Sequence, residues 1–68
     1  DAKFAAALDR LMPLMHNYHT KGRAWIEHGI RRSQVIERNS PMAEGSAKLW
    51  EMAEQLIDAA VEKGYLSP

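Results

Sequence analysis

The stretch that decides the fold runs from Ser46 to Gly64 and reads SAKLWEMAEQLIDAAVEKG. At about 100° per residue, its apolar side chains fall on one half of a helical wheel: Leu49, Trp50, Met52, Ala53, Leu56, Ile57, Ala60 and Val61. An apolar arc of about 180° is wider than the ~100° stripe that a surface helix usually needs. The pattern therefore predicts a helix that packs against more than one neighbour and ends at Gly64, with Tyr65 and Leu66 folding back onto it.

A second helix is predicted from residue 1 to about residue 20. Its large apolar side chains recur at spacings of four, three, four and three: Phe4, Leu8, Leu11, Met15 and Tyr18. This seam suits one side of a helical hairpin or a small bundle. Pro13 interrupts it, because proline removes a backbone donor and clashes with the preceding turn. We expect a kink in one helix rather than a new helix that starts at this proline.

The middle segment, residues 21–39, favours helix with less regularity. Gly29 is either a tolerated helix glycine, at a cost of about 1 kcal/mol relative to alanine, or a turn. Ser40 and Pro41 form a signal for the start of the last helix. Gly45 weakens that signal, so Ser46 is a rival N-cap.

The 68 residues form one small domain, close to the size at which a single core is marginally stable. The chain has no cysteine, so neither a disulfide nor a thiolate zinc site can reinforce it. We expect an all-α fold: a three-helix bundle, or a helical hairpin that dimerises, with a fourth short helix if Gly29 is a turn. Self-association is a common solution at this size, and a homo-oligomer is expected.

The charges balance, with nine basic and nine acidic residues, so no net field draws the chain towards nucleic acid or membrane. Basic residues are in excess from Lys21 to Arg38, and acidic residues are in excess from Ala43 to Lys63. We expect these two segments to attract each other, within one chain or between two chains. A basic surface for an acidic partner is the alternative.

The composition argues against catalysis. No cysteine nucleophile is present, the serines lie in no nucleophile elbow, and the isolated glycines form no phosphate-binding loop. His16 and His19 lie three residues apart, which is half of a metal site at most, because such a site needs three or four converging ligands. We expect a protein that is not an enzyme and that holds no metal or cofactor.

No apolar run reaches the roughly 18 to 20 residues of a membrane span, and no signal-peptide core is present. A soluble protein is expected, with the cytoplasm favoured. The chain begins at Asp1 without an initiator methionine, which indicates a processed form or a fragment.

The segment from His28 to Asn39, HGIRRSQVIERN, resembles a helix-turn-helix. Gly29 would form the turn, and the polar residues after it would open a recognition helix. The residues that would contact phosphates or base edges are Arg31, Arg32, Ser33, Gln34 and Arg38. The chain departs from the motif at Trp25, just before this segment, where a small residue normally lets the two helices cross.

The leading hypothesis is a non-enzymatic helical protein-binding module, a small regulatory, inhibitory or accessory protein that acts through apolar helix faces. Its partner would be a second copy or a larger protein. The residues expected to bind that partner are Trp25, Ile26, Ile30, Arg31, Arg32, Trp50 and Ile57. The usual interpretation of both tryptophans is as core anchors, and a role in partner contact is the alternative. The alternative function is a helix-turn-helix-like DNA-binding regulator that uses the basic segment Gly29–Arg38.

Overall fold

The computed structural model of the protein describes residues 2–68. Short turns connect its helical segments: α1 Ala2–His19, α2 Arg23–Glu27, α3 Arg32–Asn39, α4 Met42–Gly45 and α5 Ala47–Glu62. The predicted all-α fold is confirmed, and these residues contain no strand beyond one isolated bridge. Dimerisation stays a prediction. Within the described chain, every helix is too short or too polar to cross a lipid bilayer.

Helix α5 is the centre of the core. Ala53, Ile57 and Ala60 have no accessible surface, and the helix packs against α1, α3 and α4, which confirms the prediction of several neighbours. Ser46 is the N-cap, because its Oγ accepts a hydrogen bond of 3.1 Å from the backbone N–H of Leu49. Ser40 is not the N-cap of the last helix; it is the C-cap of α3, and its Oγ donates to the carbonyl of Glu37.

Helix α1 is continuous, with Pro13 inside it. Its buried row is Ala7, Leu11 and Leu14, whereas Phe4, Leu8 and Met15 of the predicted seam are exposed. The prediction of the buried face was therefore wrong by part of a turn.

The physical reason is the close approach of α4 to α1. A Cβ atom on Gly45 would collide with the carbonyl of Lys3 and would lie 3.0 Å from the Cβ of Ala7. The two small residues let the helices meet here, so the face of α1 that carries Ala7 turns inward.

Gly29 is a turn and not a helix residue. Its φ of +61° belongs to the left-handed region, and it separates α2 from α3. The helix before it buries Trp25, which is 5% exposed, and the helix after it buries Val35 at 3%. The fourth short helix expected for this case is present, and α4 adds a single further turn.

The chain end closes back on the bundle as predicted. Gly64, at φ +81°, terminates α5, and the Tyr65 N–H donates to the Ala60 carbonyl at 2.8 Å, in the manner of a Schellman motif. Leu66 is then buried, and the Ser67 carbonyl accepts a 2.8 Å hydrogen bond from the N–H of Arg32. We call residues 65–67 the C-terminal clasp, because this hydrogen bond holds them against the start of α3.

Lys63 lies beside the clasp with its Nζ 5.2 Å from the centre of the Tyr18 ring. Hydrogen bonding and charge interaction with Tyr18 raise the pKa of Lys63 above its ordinary value. Because the pKa of Lys63 is raised in the folded state, its interaction with Tyr18 stabilises the fold in full at pH values below the ordinary lysine pKa. It is lost as the pH rises through the raised value.

Two glycines with similar backbones allow the clasp to be tested. Gly22 (φ +70°) and Gly29 (φ +61°) both lie in the left-handed region, but only at Gly22 would a Cβ collide with the Tyr65 carbonyl. Gly29→Ala should cost about 1 to 2 kcal/mol of unfolding free energy, the left-handed penalty alone. Gly22→Ala should cost more, because the clasp must also move. Urea denaturation of both variants measures this, and equal losses would contradict the packing described.

Candidate functional site

A groove of about 620 Å³ lies between α1, α2 and α3. Residues of α1 border it on one side, and residues of α2, α3 and the turn between them border it on the other. Six apolar residues line it and are called its floor: Pro13, Leu14, Ala24, Trp25, Ile30 and Val35. Polar and charged side chains line its remaining walls: Asp9, Arg10, Asn17, His28, Arg38 and Asn39. A volume in this range is typical of small-molecule sites.

The groove is held at one end by a hydrogen bond from α1 to α3. The Nη1 of Arg10 donates to the backbone carbonyl of Arg38 at 2.8 Å. The ion pairs found among residues 2–68 are Arg23 with Glu27 at 3.5 Å and Arg32 with Asp58 at 2.9 Å, and neither involves a groove arginine. The groove therefore carries two guanidinium groups against the single carboxylate of Asp9, a formal charge of +1 with His28 neutral.

The Arg32–Asp58 pair joins the basic middle segment to the acidic last helix, which is the attraction expected within one chain. Both side chains are substantially exposed, at 41% and 59%. Such pairs contribute at most about 1 kcal/mol. The pair is one of the contacts between α3 and α5.

The described residues do not fit a metal ion. Nowhere in residues 2–68 do three histidine, aspartate or glutamate side chains come together in a way that would hold one. His19 packs edge-on against the ring of Tyr18. Asp9 and His28 both line the groove, but two ligands are too few for a bound cation.

The residues predicted to bind a partner divide between core and surface. Trp25 and Ile57, at 5% and 0% exposure, are core residues and offer a partner almost no accessible surface. Ile30 and Trp50 are half-buried against the core. Ile26 is 64% exposed and Arg31 is also exposed, whereas Arg32 is half-buried. For these surface and half-buried residues the binding role stays a prediction.

Part of the seam predicted on α1, together with Met12, remains an exposed apolar surface. We call it the α1 strip, and it consists of Phe4, Leu8, Met12 and Met15, which are 41–62% exposed. Because α4 meets α1 at Lys3, and Tyr65 meets α1 at Tyr18, α5 runs parallel to α1 beside this strip. The sequence contains a second row with helical spacing that could have indicated the buried face: Ala7, Leu11 and Leu14. Ala7 is small enough to accept a close neighbour.

The segment that resembles a helix-turn-helix has the expected turn at Gly29. Arg31, Ser33, Gln34 and Arg38 are exposed, and Arg32 is engaged by Asp58. The Oε1 of Gln34 accepts a 2.8 Å hydrogen bond from the backbone N–H of Arg31, which stabilises the start of α3. DNA contact by these residues stays a prediction.

Comparison with known proteins finds one family. The family model described as the HD domain matches residues 1–50, a range that includes α1 to α4 and every residue of the groove. No curated protein matches, and no solved structure matches. The match extends over well more than half of the 68 residues, and the chain belongs to the HD domain family.

Proposed function

We propose that this chain is a non-enzymatic helical protein-binding module of the HD domain family, a small regulatory or accessory element. It acts by burying the α1 strip against a second apolar helical surface. The observation that carries the proposal is the exposure of four large apolar side chains on one helix of so small a protein.

The α1 strip has the properties of a contact surface. Apolar side chains that are exposed singly need no explanation, but a contiguous row marks an interaction site. Met12 and Met15, at 62% and 43% exposure, are flexible and polarisable, so they adapt to the partner's shape. Met52 of the adjacent α5, at 50% exposure, offers more of the same chemistry.

The proposed partner is a second copy of this chain. A core built from 68 residues supplies only a few kcal/mol of stability. Burial of apolar surface between two copies would raise that stability. The contact is apolar, and we therefore expect it to be insensitive to salt.

The double variant Leu8→Glu/Met12→Glu tests this proposal. Light scattering across a concentration series should give a dimer for the wild-type chain at low and high salt, and a monomer for the variant. Two carboxylates buried in an apolar contact would cost several kcal/mol. Ser33→Glu is the control, because Ser33 is exposed outside the strip, and Ile26→Glu tests the contact expected at Ile26 on α2. A wild-type monomer at every concentration would contradict self-association, and loss of the dimer in Ile26→Glu would move the contact to α2.

DNA binding is the second candidate, and the turn at Gly29 is the observation that favours it. It places α3 after a short helix, with Ser33, Gln34 and Arg38 exposed on α3 and Arg31 exposed at its N-cap. Two features weigh against it: α2 has only five residues, and Asp58 partly neutralises the basic segment through Arg32.

If the protein binds DNA, the affinity should fall steeply as salt rises, because phosphate contacts release counterions. Arg31→Ala/Arg32→Ala should weaken binding at least tenfold in a fluorescence anisotropy titration with duplex DNA. Arg23→Ala is the matched control, because Arg23 is exposed on α2 and pairs with Glu27. Binding that is independent of salt, or equal in both variants, would eliminate the DNA-binding function.

HD domains are often metal-dependent hydrolases. We nevertheless propose that this chain alone has no hydrolase activity, because a metal site would need ligands that residues 2–68 do not bring together.

Incubation with bis(p-nitrophenyl) phosphate and Mn²⁺ should therefore release p-nitrophenol no faster than buffer with Mn²⁺. The same assay with Asp9→Asn serves as a control for contaminating activity. Turnover by the wild-type chain that is abolished both by a chelator and by Asp9→Asn would overturn this part of the proposal.

A further inference from the structure

We propose that the groove between α1, α2 and α3 binds a small monocarboxylic acid with an apolar body. The apolar body would lie on the groove floor and the carboxylate would face Arg10 and Arg38. This inference is independent of the proposed protein contact, because the groove and the α1 strip occupy different sides of α1.

The helical positions establish that independence. At about 100° per residue, Arg10, Pro13 and Asn17 lie on one flank of the buried row that contains Leu11 and Leu14. The α1 strip lies on the other flank. A partner bound to the strip therefore leaves the groove open.

The size and floor of the groove set the body of the ligand. About 620 Å³ is in the range that encloses a small organic molecule. Leu14, Trp25 and Val35, at most 5% exposed, form the base of this floor. The apolar surface that a ligand can contact belongs to residues that are exposed or half-buried: Pro13, Ala24 and Ile30. Such a floor accepts an aromatic or aliphatic body.

The arginines set the charge of the ligand. Neither Arg10 nor Arg38 belongs to either of the ion pairs found among residues 2–68. The guanidinium group of Arg10 is already oriented by its bond to the Arg38 carbonyl. A planar guanidinium matches the geometry of a carboxylate with two parallel hydrogen bonds.

The balance of charge distinguishes a carboxylate from a phosphate. With Asp9 present, the groove carries a formal charge of +1, which one carboxylate neutralises. A phosphate monoester brings a charge of about −1.5 to −2 at pH 7 and would leave an excess of negative charge beside Asp9. Because both arginines are exposed, we expect an affinity in the range of about 10 µM to 1 mM.

The experiment uses 2-naphthoate as the probe, 2-naphthamide as its neutral isostere and phenyl phosphate as the dianion. Two-dimensional ¹H–¹⁵N NMR titration of the intact chain should show shifts at Leu14, Trp25 and Val35 with 2-naphthoate. The dissociation constant should rise at least tenfold with 2-naphthamide and with phenyl phosphate.

The matched variants are Arg38→Gln and Arg23→Gln. Arg38→Gln removes one guanidinium group but keeps the backbone carbonyl that accepts the Arg10 hydrogen bond. The contact between α1 and α3 at the end of the groove is therefore preserved. It should weaken 2-naphthoate binding at least fivefold, whereas Arg23→Gln, outside the groove, should leave it within twofold. No shifts at 2 mM 2-naphthoate, equal binding of 2-naphthamide, or equal effects of the two variants would each overturn the proposal. Tighter binding of phenyl phosphate would overturn the choice of a monoanion.

Discussion

The α1 strip and the groove both depend on the approach of α4 to α1 at Gly45. A helix pair can meet this closely only where neither backbone carries a large side chain, and here Gly45 faces Lys3 and Ala7. This contact decides which side of α1 turns inward. Once Ala7, Leu11 and Leu14 are buried, Leu8 and Met12 are left outside on one flank and Arg10 is left beside α3 on the other.

The groove depends on a second, weaker constraint. Helices α2 and α3 together have thirteen residues, and neither is long enough to be stable in isolation. Their position is determined by the bond between Arg10 and the Arg38 carbonyl at one end and by the C-terminal clasp at the other. The groove is therefore bordered by short elements that are fixed at their ends, while α1 and α5 supply the stable framework.

The features predicted correctly are those decided by local chemistry. Gly64 ends α5 because a left-handed residue is required there, and Ser46 can cap α5 because its side chain reaches the Leu49 N–H. The rotation of α1 was not predictable in this way. Two apolar rows of similar spacing compete on that helix, and the choice between them is made by Gly45, a residue about forty positions away. The groove escaped prediction for the same reason, since Asp9 and Arg38 are far apart in sequence and meet only through packing.

The bond between Arg32 and Ser67 has a consequence for the motions of the protein. It couples the start of α3 to the last residues of the chain, and Gly22 packs directly against Tyr65 of the same clasp. Segments joined in this way open as one cooperative unit, at a free energy below that of global unfolding. The amides of α2, α3 and residues 65–67 should consequently exchange with solvent together and ahead of those in α5. Opening of this unit would remove the groove, which α2 and α3 border, while α1 and α5 stay packed.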